Sequence, residues 1–149
     1  LLLPRGLSFR PAIWSDVLAR ILEQGFWFGL GINTDDSVVI GEMTFLHPHS
    51  MYLSVLFQGG LVGLVAFGLL TSWTVAVLLH HYHAEEAKLA LGVLAIALPA
   101  YLLDGHELLD KVGSTWFLYW LPVAIALGFA WQHRTRGRDF GARSLVSGG

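Results

Sequence analysis

Residues 51–80 read Met51-Tyr-Leu-Ser-Val-Leu-Phe-Gln-Gly-Gly60-Leu-Val-Gly-Leu-Val-Ala-Phe-Gly-Leu-Leu70-Thr-Ser-Trp-Thr-Val-Ala-Val-Leu-Leu-His80, without one Asp, Glu, Lys or Arg. The uncharged run extends in fact from Glu42 to Glu85. A helix needs about 20 apolar residues to cross roughly 30 Å of hydrocarbon, so this stretch predicts a transmembrane helix over residues 51–79. Two further charge-free intervals follow, between Lys88 and Asp104 and between Lys111 and Arg134. They predict spans over residues 87–103 and 112–131. The second carries Pro99, which removes a backbone donor and predicts a kink whose freed carbonyl is satisfied by neighbours. The third has Trp116, Tyr119, Trp120 and Trp131 near its ends, where aromatic belts form.

The composition agrees with this architecture. Hydrophobic residues make up 54% and charged residues 13%, too few charges to cover a soluble surface. The expected fold is therefore an all-α, polytopic helical membrane protein with three transmembrane helices after an amphipathic outer segment. There is no cysteine, which excludes a disulfide framework, a thiolate metal site and a Cys nucleophile. The formal net charge of −2 gives no signal for nucleic acid. Leu1-Leu2-Leu3-Pro4 has neither an initiator Met nor a signal-peptide pattern and reads as the cut end of a preceding span.

Basic residues set the direction of insertion. Residues 134–149 hold Arg134, Arg136, Arg138 and Arg143 against Asp139, whereas the loop from Asp104 to Lys111 holds three acids and one lysine. The positive-inside rule places this basic tail in the cytoplasm, with a disordered end from Ser144 to Gly149. Residues 1–50 then lie outside, in a periplasmic loop if the cell is Gram-negative. His80, His81 and His83 fall on the cytoplasmic side.

Within the outer segment, Ile13, Trp14, Val17, Leu18, Ile21 and Leu22 recur at helical spacing. They predict an amphipathic helix over residues 10–24, with Ser8 as cap, Pro11 in the first turn and Gly25 as the stop. Asp16 and Arg20 are four residues apart and placed to pair. Arg10 projects with Trp14, Val17 and Ile21, either as a snorkelling cation of a helix lying on the membrane or as a ligand contact. The run Gly25-Phe-Trp-Phe-Gly29-Leu-Gly31 predicts a tightly turning or re-entrant loop and is no phosphate loop, lacking a Gly-Lys-Ser/Thr. Asp35 and Asp36 suit turn chemistry, with general-base work as the other reading.

At the entry to the first span stands His47-Pro48-His49-Ser50. Pro48 places His49 in the first turn, at headgroup level. Gly60 follows eleven residues later, about three turns and roughly 16 Å deeper on the same face. A bare face below an imidazole admits either ordinary helix packing or a polyprenyl tail. Gly59 and Gly63 form a small-xxx-small pair. A metal site from His47 and His49 is the weaker idea, because the His80 group lies across the membrane.

These residues resemble the C-terminal part of the bacterial O-antigen ligase and O-antigen polymerase family, membrane glycosyltransferases of GT-C-like architecture. The resemblance covers residues 5–80. It rests on Arg10-Pro-Ala-Ile-Trp14, on Phe28-Gly29-Leu-Gly31, and on His49 with Gly60, which match the family's His-x10-Gly motif. Trp14 stands where the ligase pattern usually has Leu, and Ser50 where Asn is common. The resemblance implies an inner-membrane enzyme of lipopolysaccharide biosynthesis. It would move a glycan from undecaprenyl diphosphate to an acceptor hydroxyl, such as a sugar of the lipid A core, at the periplasmic face. It implies further spans before residue 1, no metal and no cofactor, and contacts with membrane lipids. His49 is the implied base, because an imidazole titrating at about 6.5 suits proton abstraction at neutral pH. Arg10 is the implied diphosphate contact, with Arg5 and Arg20 as lesser candidates. Polymerisation of polysaccharide, or transfer to a protein hydroxyl, would use similar parts. A structural or transporter subunit is the non-enzymatic alternative.

Overall fold

The computed structural model describes residues 10–32, 34, 37–40, 43–45, 50–103 and 113–146. Its elements are α1 (Arg10–Gln24), β1 (Val38–Ile40), β2 (Met43–Phe45), α2 (Met51–His80), α3 (Glu85–Leu103) and α4 (Ser114–Val146). The four helices bear out the helical expectation, and among the described residues α2 is the one helix long and apolar enough to cross a membrane. Within α4 a shorter apolar stretch covers Trp116–Gln132.

The chain forms two compact units: residues 1–68 with 98–112, and residues 69–97 with 113–149. The first unit is centred on α1, whose Ile13, Val17 and Ile21 are buried with Phe57 of α2. Their spacing of four makes a single stripe on α1, with Trp14, Leu30 and Leu56 packed around it. Burying each such side chain contributes about 1.5–3 kcal/mol, so this stripe is what holds the helix down. Leu18 and Leu22 had been expected on this face, yet both are exposed. The apolar face is wider in sequence than the part α2 covers.

The segment before α2 is not wholly helical. β1 and β2 pair antiparallel, Val38 opposite Phe45, Val39 opposite Thr44 and Ile40 opposite Met43. Two residues, 41 and 42, connect them, and Gly41 is the type of residue a two-residue hairpin favours. The β-branched run Val38-Val39-Ile40 was the signal for it. An all-α description thus needs this small hairpin added. β2 leads within four residues to Ser50 at the head of α2.

α2 is also not one smooth span. Gly60 has φ 61° and ψ −160°, so Met51–Gly59 and Leu61–His80 are two helical segments joined across a break. The prolines do not break their helices: α3 continues through Pro99, and α4 through Pro122.

In the second unit a short turn at residues 81–84 joins α2 to α3, closed by the Ala84 amide donating to the His81 carbonyl at 2.9 Å. Glu85 and Glu86 open α3, where negative charge opposes the positive end of the helix dipole. Thr71 Oγ1 and Tyr119 Oη lie 3.0 Å apart, with the tyrosine fully buried. His81 stacks on Phe129 with ring centroids 4.6 Å apart, and His80 meets its edge. This pair of histidines serves packing, and no metal-binding group of three occurs among the described residues. α4 runs to Val146, beyond the end expected near residue 131 and into the segment read as a disordered tail.

Candidate functional site

The first unit is built around a crossing of two backbones. In an unbroken helix the carbonyls of Phe57 and Gln58 would accept from the amides of Leu61 and Val62, four residues on. Gly60 interrupts that ladder, and the aromatic loop takes up both halves. The amides of Leu30 and Gly31 donate to the Phe57 and Gln58 carbonyls at 2.7 and 3.2 Å. The amides of Leu61 and Val62 donate to the Phe26 and Trp27 carbonyls at 2.9 and 3.1 Å. Two helical bonds are exchanged for four bonds between loop and helix. This is the condition under which a membrane helix tolerates irregular backbone, since every polar group freed must find a partner within the protein.

Glycine is required on both sides of the crossing for steric reasons. A Cβ at Gly60 would lie 2.5 Å from the Gly29 nitrogen and from the Trp27 carbonyl carbon. One at Gly29 would lie 2.4 Å from the Gln58 carbonyl. The Gly60 dihedrals also belong to a region that only glycine occupies readily. Gly25 ends α1 with its amide on the Ile21 carbonyl at 2.9 Å, and a Cβ there would meet the Gly29 backbone at 2.7 Å. Its bareness therefore makes room for the loop in addition to stopping the helix.

Of the two uses open to the bare face of Gly60, packing is the one observed: the face is filled by the loop backbone at Trp27 and Gly29. By contrast, nothing described lies within 4 Å of a Cβ placed on Gly59. The small-xxx-small pair is therefore not the tight contact; the crossing at Gly60 is.

Arg10 is the first residue of α1 and is half-buried. Arg20 lies ten residues on, about 15 Å further along the axis at 1.5 Å per residue. Its guanidinium Nη1 donates to the Ser37 carbonyl at 3.2 Å, and its Cζ sits 5.1 Å from the centre of the Phe57 ring. Instead of the solvent-side position expected beside Asp16, Arg20 borders the buried stripe. It ties α1 to the start of β1 and to α2. Arg5, Asp35, Asp36, His47 and His49 lie outside the described residues. Ser50, next to His49, is buried at 3% exposure, and its carbonyl accepts the Ser54 amide at 3.0 Å in the opening turn of α2.

One residue that the sequence did not single out takes part. Tyr52 donates its hydroxyl to the Leu98 carbonyl at 2.8 Å and meets Phe67 edge-on. It anchors the opening turn of α2 to the last turns of α3, three residues after His49 in sequence. A tyrosine in an apolar helix, needing a partner for its hydroxyl, was the available signal.

Fold and site together define a helical protein whose long apolar helix is interrupted to receive a glycine-punctuated loop. Residues 4–68 match the family model described as O-Antigen ligase. An O-antigen ligase of Pseudomonas aeruginosa PAO1 is 33% identical over 143 residues, 93% of this chain and 35% of the relative. The chain belongs to the O-antigen ligase family. It spans about a third of the length of that curated relative. No solved structure matches it. The matched residues 4–68 take in α1, the loop, the hairpin and the first part of α2, so the family's signature and the backbone crossing coincide.

Proposed function

We propose that this chain supplies the catalytic part of a glycan ligase, one that moves a glycan from undecaprenyl diphosphate to a hydroxyl of the lipid A core at the periplasmic face. His49 takes the proton of the acceptor hydroxyl as its oxygen forms a bond to the anomeric carbon. The bond from that carbon to the diphosphate oxygen breaks, and the negative charge left on the diphosphate is neutralised by Arg10 together with Arg5. Arg20, engaged with Ser37 and Phe57, acts in this reading chiefly as a positioning residue. No metal or cofactor is invoked.

The observation that carries the reading is the four-bond crossing between residues 26–31 and 57–62. It fastens the segment bearing Arg10 to the helix that begins two residues after His49. In this reading the crossing holds Arg10 of α1 and the start of α2 within one compact unit, the kind of positioning on which catalysis depends. The reading also takes α2, α3 and α4 as three spans with the basic tail in the cytoplasm, which puts the loop and His49 on the outer side.

The test is glycan attachment by the full-length protein containing this sequence, at matched membrane abundance. His49→Ala and Arg10→Ala should each reduce transfer at least 100-fold, in the range lost with a general base or a charged transition-state contact. Full transfer by both variants would refute the assignment. Supplying lipid A core, glycan repeat or a protein acceptor separates ligation from polymerisation and from protein glycosylation.

A further inference from the structure

Phe26, Trp27 and Phe28 are 40%, 60% and 77% exposed, although their backbone is bonded into α2. Leu22, one turn back on α1, is 65% exposed and Ile32, just past the glycines, 58%. Five large apolar side chains therefore point away from a loop whose main chain is fixed.

The place where that loop is fixed says what covers it. The twenty residues from Leu61 to His80 are uncharged and, at 1.5 Å per residue, about 30 Å long. That is the thickness of the hydrocarbon core. The segment before the break carries Tyr52, Ser54 and Gln58 and is not needed to span it. Taking Leu61–His80 as the spanning part moves the bilayer boundary from His49, where the sequence alone set it, to Gly60, and the loop carbonyls that accept from Leu61 and Val62 then lie at that boundary. Tryptophan is enriched at this depth, and phenylalanine and leucine accompany it on the lipid-facing side of interfacial segments.

The flanks of α1 agree. At 100° per residue, Leu18 and Leu22 lie about 100–140° to one side of the buried stripe, and Asp16 and Glu23 about 100–120° to the other. The helix has one apolar flank and one acidic flank around a face already occupied by Phe57.

We propose that Trp27 and Phe28, with Leu22 of α1, form an anchor seated in the headgroup and upper acyl region of the bilayer where α2 enters it. The anchor holds the outer unit against the lipid surface, and its partner is phospholipid rather than another polypeptide segment. It requires that α2 span a membrane but does not depend on glycan transfer.

The test uses the complete protein in vesicles of phosphatidylethanolamine and phosphatidylglycerol. The 149 residues hold no cysteine, so Phe28→Cys, Leu22→Cys and Asp16→Cys give single nitroxide labels in a background otherwise cleared of cysteine. Relaxation by oxygen should exceed that by a water-soluble nickel chelate at positions 28 and 22, and the reverse should hold at 16. Nickel in excess at 28 and 22 would put the loop in water. Exclusion of both reagents there would put it against protein. Either result overturns the anchor, and if one label prevents folding the other still decides.

Discussion

The two proline-bearing helices and the glycine-bearing one behave in opposite ways. α3 and α4 carry Pro99 and Pro122 and stay helical, whereas α2 has no proline and breaks at Gly60. Proline removes one donor from its own helix, and the surrounding helix tolerates the loss. The break in α2 needs more: two carbonyls and two amides must be satisfied elsewhere, and the loop at 26–31 supplies all four partners. Where a membrane helix breaks is thus decided by which backbone is available to complete it, more than by the residue with the worst helix propensity.

The largest effect should come from the glycines of the crossing. Gly60→Ala places a methyl group 2.5 Å from loop backbone, in dihedrals that alone cost about 1–3 kcal/mol for a non-glycine residue. The combined loss should be roughly 3 kcal/mol or more, measured as unfolding of the first unit. Gly29→Ala should match it, and the double variant should lose much less than the sum, because either change already undoes the same crossing. An additive double variant would break the comparison.

Next in size is Arg20→Ala, which removes a charge-assisted bond to Ser37 and the contact with Phe57. Losses of roughly 1.5–3 kcal/mol are expected, with Arg20→Lys recovering part through its remaining charge. Tyr52→Phe deletes only the bond to the Leu98 carbonyl and should cost about 0.5–1.5 kcal/mol in thermal unfolding. At the bottom of the scale, Gly68→Ala and Gly92→Ala meet open space and should change stability by no more than about 1 kcal/mol, toward greater stability if at all. A large loss at either would mean that glycines in general, and not the crossing, sustain these helices.

The sequence carried the regular parts of this fold well. The stripe at Ile13, Val17 and Ile21 gave α1 with both of its ends, and the uncharged run gave the start of α2. The three-residue strands escaped because Val38-Val39-Ile40 is too short for a period of two to register. The end of α4 escaped because the four arginines past residue 131 favour helix as readily as they mark a membrane boundary. Gly60 was legible as a position of close approach, with packing and a lipid tail both left open. Its missing side chain announces that something comes close, and only the three-dimensional path of Trp27–Gly29 shows that it is backbone rather than lipid. Arg20 was misplaced for a similar reason: helical periodicity set it near Asp16, while the partners that draw it across, Ser37 and Phe57, are 17 and 37 residues away in sequence.

Two adjacent glycines allow the most direct test. Among the described residues nothing lies within 4 Å of a Cβ on Gly59, whereas one on Gly60 meets the loop, so Gly59→Ala leaves the crossing intact and Gly60→Ala does not. Glycan transfer by each variant of the full-length protein, at equal abundance in the membrane, should be close to wild type for Gly59→Ala and abolished for Gly60→Ala. Equal transfer by the two variants would contradict the claim that the loop crossing builds the site.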